Sequence, residues 1–141
     1  MASKNDLEAL KMANAQRERA TADMLLKKRR QERSVSVSLP GEDGPVDVDL
    51  LFRAIGNNEY DKLVTKYPPT PSQKKEGMTY DMDRFAPQLL SRVCVDPAMT
   101  VEDWTNIWNS DEWNRGELMS VYLAAVDVCT RGLDVNPTDS D

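Results

Sequence analysis

Between Ser34 and Ile55 apolar residues recur at every second position, and beyond Gly56 they recur with the period of a helix. Alternation lets a strand keep one apolar face, whereas residues spaced i, i+3, i+4 and i+7 share a face only on a helix. A chain that switches once from the first pattern to the second is expected to fold as one β-hairpin followed by helices. On the strand side, Val35, Val37 and Leu39 alternate with Ser34, Ser36 and Ser38. Val46, Val48, Leu50, Phe52 and Ala54 then alternate with Asp47, Asp49, Leu51, Arg53 and Ile55. The turn residues Pro40-Gly41-Glu42-Asp43-Gly44-Pro45 join the two runs. Asp43, Asp47 and Asp49 have the chemistry of a cation site, but alternation puts the last two on the solvated face and their spacing misses the EF-hand loop.

Gly56 breaks the second strand, and Asn57 or Asn58 is placed to cap the helix carrying Tyr60, Leu63, Val64 and Tyr67. Pro68 ends that helix by removing an amide donor and restricting Tyr67. Pro68-Pro69-Thr70-Pro71 reads as a stiff extended spacer, with a ligand for an aromatic groove as the other reading of a PPxP string. After a polar loop at 72–77, Met82, Phe85, Leu89, Val93 and Cys94 mark another helix face, in which Pro87 is tolerable only within the first turn. Asp96-Pro97-Ala98-Met99 is expected to end it. Thr100 with Asp103 and Asn114 with Glu117 are helix starts of the capping-box type. Val101, Trp104, Ile107 and Trp108 face inward on the first of these, and Leu118, Met119, Tyr122, Val126 and Cys129 on the second, which Gly132 stops. Tyr60, Leu63, Phe85, Leu89, Trp104, Trp108, Leu118 and Tyr122 form the expected core.

Residues 3–33 are rich in helix formers but carry a thin apolar stripe: Leu7, Leu10, Ala13, Ala20, Met24 and Leu25. So little apolar surface leaves either a solvated, partly frayed arm or a helix that firms up on a partner. Charge divides the chain at the same place. Residues 1–33 hold nine basic and five acidic side chains, and the remainder holds nine basic and nineteen acidic. The expected fold is therefore α+β and mostly α, a β-hairpin (about 34–39 and 46–55) packed on a compact bundle of about four helices, with a long N-terminal helical arm. Its parts are a basic helical arm at 1–33, a hairpin-plus-helices domain at 34–132, and a disordered acidic tail at 133–141.

The chain has no histidine, which excludes Ser/His and Cys/His nucleophile pairs and histidine-ligated zinc. Carboxylate-only mechanisms survive that exclusion, but no residue set points to one, so a non-catalytic protein without metal or cofactor is expected. Two cysteines, Cys94 and Cys129, lie on apolar helix faces and read as small buried thiols. With no run near the ~18 apolar residues of a membrane span and no secretory core at the start, the expected setting is a soluble protein of a reducing compartment.

Two constellations invite a stronger reading. The helix–turn–helix spacing from Arg84 to Asn109 suits DNA, but its second helix opens Val101-Glu102-Asp103 and carries no basic residue. Lys27-Lys28-Arg29-Arg30 is a basic run without interleaved aromatic residues, joined to an acidic body that repels phosphate. Nucleic acid is accordingly a disfavoured partner. The three tryptophans fall within ten residues, and aromatic rings serve cores and interface hot spots alike. Trp113, between Asp111-Glu112 and a helix start, is the candidate surface anchor. The candidate partner-binding set is Leu7, Leu10, Met24, Leu25 and Trp113.

The ordered series FRAIG (52–56), EYDKL (59–63), YPPT (67–70), Asp96-Pro97 with Thr100, and Trp113 with Gly116-Glu117 resembles the tail assembly chaperones of long-tailed, siphovirus-type phages of actinobacterial hosts. The resemblance covers roughly residues 35–131. It implies a non-enzymatic protein of the host cytoplasm, not expected in the mature virion, which keeps the long helical tape-measure protein soluble while the tail tube assembles around it. It also implies that a longer form, made by programmed frameshifting, recruits tail-tube protein, this chain being the short form. Self-association is a further possibility, and no membrane role is implied. The competing readings are a small structural virion component, such as a head–tail connector or tail-completion protein, and a nucleic-acid-binding regulator using the basic arm.

Overall fold

A computed structural model describes residues 19–135 together with positions 5 and 137. The fold is α+β and mostly helical, with a three-stranded antiparallel sheet. The described elements are α1 (Ala22–Leu26), β1 (Glu32–Leu39), β2 (Val46–Arg53), α2 (Asn57–Lys66), α3 (Pro71–Lys75), α4 (Met82–Val93), β3 (Cys94–Asp96), α5 (Val101–Trp108) and α6 (Arg115–Thr130). The hairpin sits where alternation put it, with Glu32 opposite Arg53 and Leu39 opposite Val46. One face carries Val35, Val37, Leu39, Val48, Leu50 and Phe52, and Phe52 is fully buried. Asp47 and Asp49 lie exposed on the other face beside the serines.

The helical arm is a correction in part. Among the described residues up to Gln31, helix is confined to positions 5 and 22–26, and Glu32 and Arg33 belong to β1. Thr21 caps α1 by accepting from the Met24 amide, and the helix stops at the Lys27–Arg30 run. Four successive cations repel one another on a helix surface. Pairing with β2 then takes the next residues into a strand, with Glu32 opposite Arg53 and Arg33 opposite Phe52, and exposed ion pairs join Glu32 to Arg53 and Arg33 to Asp127 of α6. Residues 6–18, including Leu7 and Leu10, lie outside the described residues, as do 136 and 138–141 of the expected tail. Leu133 and Val135 of that tail are exposed.

Three further differences have local causes. The chain leaves β2 at Arg53, so Ile55 escapes the alternation that would have turned it outward and is buried. Asn57 and Asn58 do not cap α2; Gly56 occupies the cap position without a side-chain bond. Thr70, read as spacer, instead caps α3 in a reciprocal box with Gln73, and Pro71 takes the first helical position, where its missing amide is an orphan anyway. Gln73 then donates to the buried Asp81 carboxylate at 2.9 Å, tying α3 to the start of α4.

Pro87 lies beyond the first turn of α4. The proline ring removes the bond its amide would have made to the Asp83 carbonyl. Asp83 is on the exposed side of the helix, and Pro87 itself is buried with Phe85, Ala86, Leu89 and Leu90. Burial of the ring offsets the lost bond. After Val93 the chain extends directly into β3, which pairs with β2 through Leu51–Asp96 and Phe52–Cys94. The expected helix–turn–helix is thereby interrupted by a strand.

Seven of the eight expected core residues are buried, and Tyr60 is half-buried against the same cluster. Trp104 is 4% exposed, yet its indole N–H has no hydrogen-bond partner among the described residues. Trp108 instead donates to Asp83 at 3.2 Å. Truncation of either core ring, Phe85→Ala or Trp104→Ala, is expected to cost about 3–5 kcal/mol in denaturant unfolding. Trp104→Phe is expected to cost much less, because it removes a buried unpaired donor along with part of the ring. Equal losses for the two Trp104 variants would contradict that account.

Candidate functional site

The outer half of the hairpin runs past the helical body, so Val35, Val37 and Leu39 are only half covered. Opposite them begins α6. Its start is held by the expected capping box: Asn114 accepts from the Glu117 amide and Glu117 accepts from the Asn114 amide, both at 2.8 Å. Trp113 precedes the cap and Leu118 is the fourth helical residue, the two positions that pack as a hydrophobic staple. The ring is half-buried against the core cluster. Its other side borders an open cleft of about 640 Å³ between β1 and α6, with Val35, Val37, Leu39 and Val121 among the apolar walls. Glu112 and Glu117 supply negative charge at that end.

A second hollow continues the same trough toward the other end of α6, between Arg33 and Ser36 on β1 and Ser120, Leu123 and Asp127 on the helix. Asp127 there is shared by Arg33 at 2.6 Å and Arg131 at 3.0 Å, which leaves that end net positive. The trough is thus mainly apolar at its Trp113 end, more polar at the other, and opposite in charge at its ends.

Of the sequence-derived partner-binding set, the structure places Trp113 in this cleft. Met24 and Leu25 are exposed on α1 and do not line it. Leu7 and Leu10 lie outside the described residues. Sequence reasoning missed the partnership of Trp113 with Val35, Val37 and Leu39. The half-polar strand pattern was visible, but nothing local says that its apolar face is left partly open.

Chemically reactive groups sit elsewhere and are quenched by their surroundings. Burial pushes the Cys94 thiol up, against a lowering by the Asp96 backbone. Burial likewise raises the Cys129 thiol. The Tyr122 hydroxyl is pushed far up by burial and by its 2.7 Å bond to Tyr80. Among the described residues no cluster of three metal-ligating side chains exists, and no helix is long and apolar enough to cross a membrane. No protein-family model matches the chain, and comparison with curated proteins and with solved structures finds no match.

Because both thiols are held protonated, neither should react with a disulfide reagent at neutral pH at the rate of a free cysteine. Both should react fully once the chain is unfolded. Rapid native labelling of Cys94 would show that its environment opens on the reagent's timescale.

Proposed function

We infer that the chain is a tail assembly chaperone of a long-tailed phage, a non-catalytic protein that binds the tape-measure protein and helps the tail tube assemble around it. The observation that carries this reading is the Trp113 cleft, an apolar trough beside a half-exposed tryptophan. It has the walls of a site for a protein segment. A trough open along one side can take an amphipathic helix by its apolar face, as helix-in-groove partners do. The arm's exposed Met24, Leu25 and Leu26 offer a second, weaker apolar surface. Shallow, separate contacts of this kind hold a client without trapping it. The net charge of −6 favours solubility of the loaded complex. The order of elements from FRAIG to Trp113 that resembles the phage chaperones supports the same reading. In it, the host cytoplasm is the place of action and the finished virion lacks the protein.

The test is co-expression with the tape-measure protein of the same phage. Trp113→Ala and removal of residues 1–30 should each lower the soluble fraction of the client. The deletion ends before Gln31, whose carbonyl accepts from Ala54 at 2.8 Å, so the domain's melting temperature should hardly move. Trp113→Phe keeps the staple and should preserve the fold while weakening the client effect less than Ala does. Unchanged client solubility in all three would place the binding surface elsewhere. Abundant protein in purified virions would favour a structural component instead. A slippery heptamer near codons 130–141 with an overlapping frame would support the frameshifted longer form.

A further inference from the structure

The sheet order β1-β2-β3 leaves β1 at an edge, and among the described residues nothing pairs with its outer side. Natural edge strands are blunted by proline, charged side chains (lysine above all), a bulge, shortness or a covering segment. This one has eight residues, Glu32–Leu39, with charges only at Glu32 and Arg33 and no proline, and pairs with β2 without a register shift. The bond from the Ala54 amide to the Gln31 carbonyl sets the phase of the ladder. Hydrogen-bonded pairs alternate along antiparallel strands. With Glu32 opposite Arg53, the residues turned toward β2 are Arg33, Val35, Val37 and Leu39. The amides and carbonyls of Glu32, Ser34, Ser36 and Ser38 therefore point to the open edge.

The helix over this edge is also incomplete. Around α6, Leu118, Val121, Tyr122, Ala125 and Val128 face the core, yet Leu123 on another side is 54% exposed. Ser120 and Ala124, both small, flank it along the trough. Leu123 is thus an apolar residue standing among Ser120, Asp127 and Thr130 on the side of α6 that the core leaves uncovered.

We propose that the protein forms a two-fold dimer in which β1 pairs antiparallel with β1 of a second copy, backed by contact between the two α6 helices at Leu123. The occupant is a second copy because the edge is complementary to itself. A two-fold axis at Val35 or Ser36 pairs the outward serines with outward serines and keeps both apolar faces on the same side of a six-stranded sheet. The same rotation carries the positive end of the trough, at Arg33 and Arg131, onto the partner copy's negative end at Glu112 and Glu117. Strand addition lies in the plane of the sheet, and the contact at Leu123 covers the second hollow of the trough, with Trp113 at the far end of each copy's trough. The inference stands without the chaperone reading although α6 also walls the trough, because its test is the oligomeric state alone.

Sedimentation of the full chain over a concentration series should show a monomer–dimer equilibrium that weakens with salt. Ser36→Pro removes an outward amide while sparing every bond to β2, and Leu123→Glu puts a charge at the helix contact. Each should raise the dissociation constant about tenfold or more, with circular dichroism and melting of the monomer little changed. Glu112→Arg should weaken the dimer, and adding Arg131→Glu should restore part of the loss. Amide exchange at Ser34, Ser36 and Ser38 should slow as concentration rises. A monomer at every concentration overturns the proposal, as does a dimer that both variants leave intact. Exchange protection independent of concentration would mean that the chain itself covers the edge, and would overturn it equally.

Discussion

Phe85 is the point on which the helical body turns. It is fully buried, and three tyrosine rings meet it edge to face: Tyr60 at 5.6 Å, Tyr80 at 5.1 Å and Tyr122 at 6.3 Å between centroids. Tyr122 in turn stands edge-on to Trp108 at 5.9 Å. Those rings come from α2, the segment before α4, α6 and α5, so one aromatic cluster joins four parts of the helical body around α4. The Tyr80–Tyr122 hydroxyl bond satisfies two polar groups that would otherwise be costly inside such a cluster. Phe52 extends the same core into the sheet.

Around this centre the helices are short, and their ends matter correspondingly. Thr70, Thr100 and Asn114 each complete a reciprocal capping box, which fixes where α3, α5 and α6 begin. The cap at Asn114 has a functional consequence. By fixing the first turn of α6 it sets Trp113 just outside the helix, with one side of the ring on the core and the other on the cleft. Asp83 reinforces that corner, accepting from Trp108 at 3.2 Å and lying 3.4 Å from Arg115. The Arg115 pair is exposed and contributes little by itself. Its value is in position, because it links the start of α4 to the start of α6.

The open trough exists because the hairpin is longer than the body it packs on. Phe52 on β2 is fully buried, whereas on β1 Val35, Val37 and Leu39 keep one side free. Each of those side chains was recognisable as apolar and inward-facing. Their partial exposure was not, since the reach of α6 across the sheet depends on helix packing and not on the strand's own pattern. Met24 and Leu25 show the converse. Their spacing on a helix-forming segment is plain, but the structure gives them no apolar neighbour in the core cluster.

What the amino-acid order determined by itself was everything that acts within a few residues. The change of period at Gly56, the hairpin turn, the caps at Thr100 and Asn114 and the stop at Pro68 all hold, because backbone geometry and side-chain capping are local. Only the tertiary structure decided the third strand, the length of β1, the cap at Thr70 and the tolerance of Pro87. β3 forms because Phe52 and Leu51 present an open edge to Cys94 and Asp96, a pairing between segments far apart in sequence. Glu32 and Arg33 leave a helix-forming composition for a strand because the antiparallel ladder continues through them to Arg53 and Phe52. Pro87 survives in mid-helix because the core around Phe85 covers its ring. Local propensities amount to tenths of a kcal/mol per residue, and burial in a shared core or pairing in a sheet exceeds them wherever the two disagree.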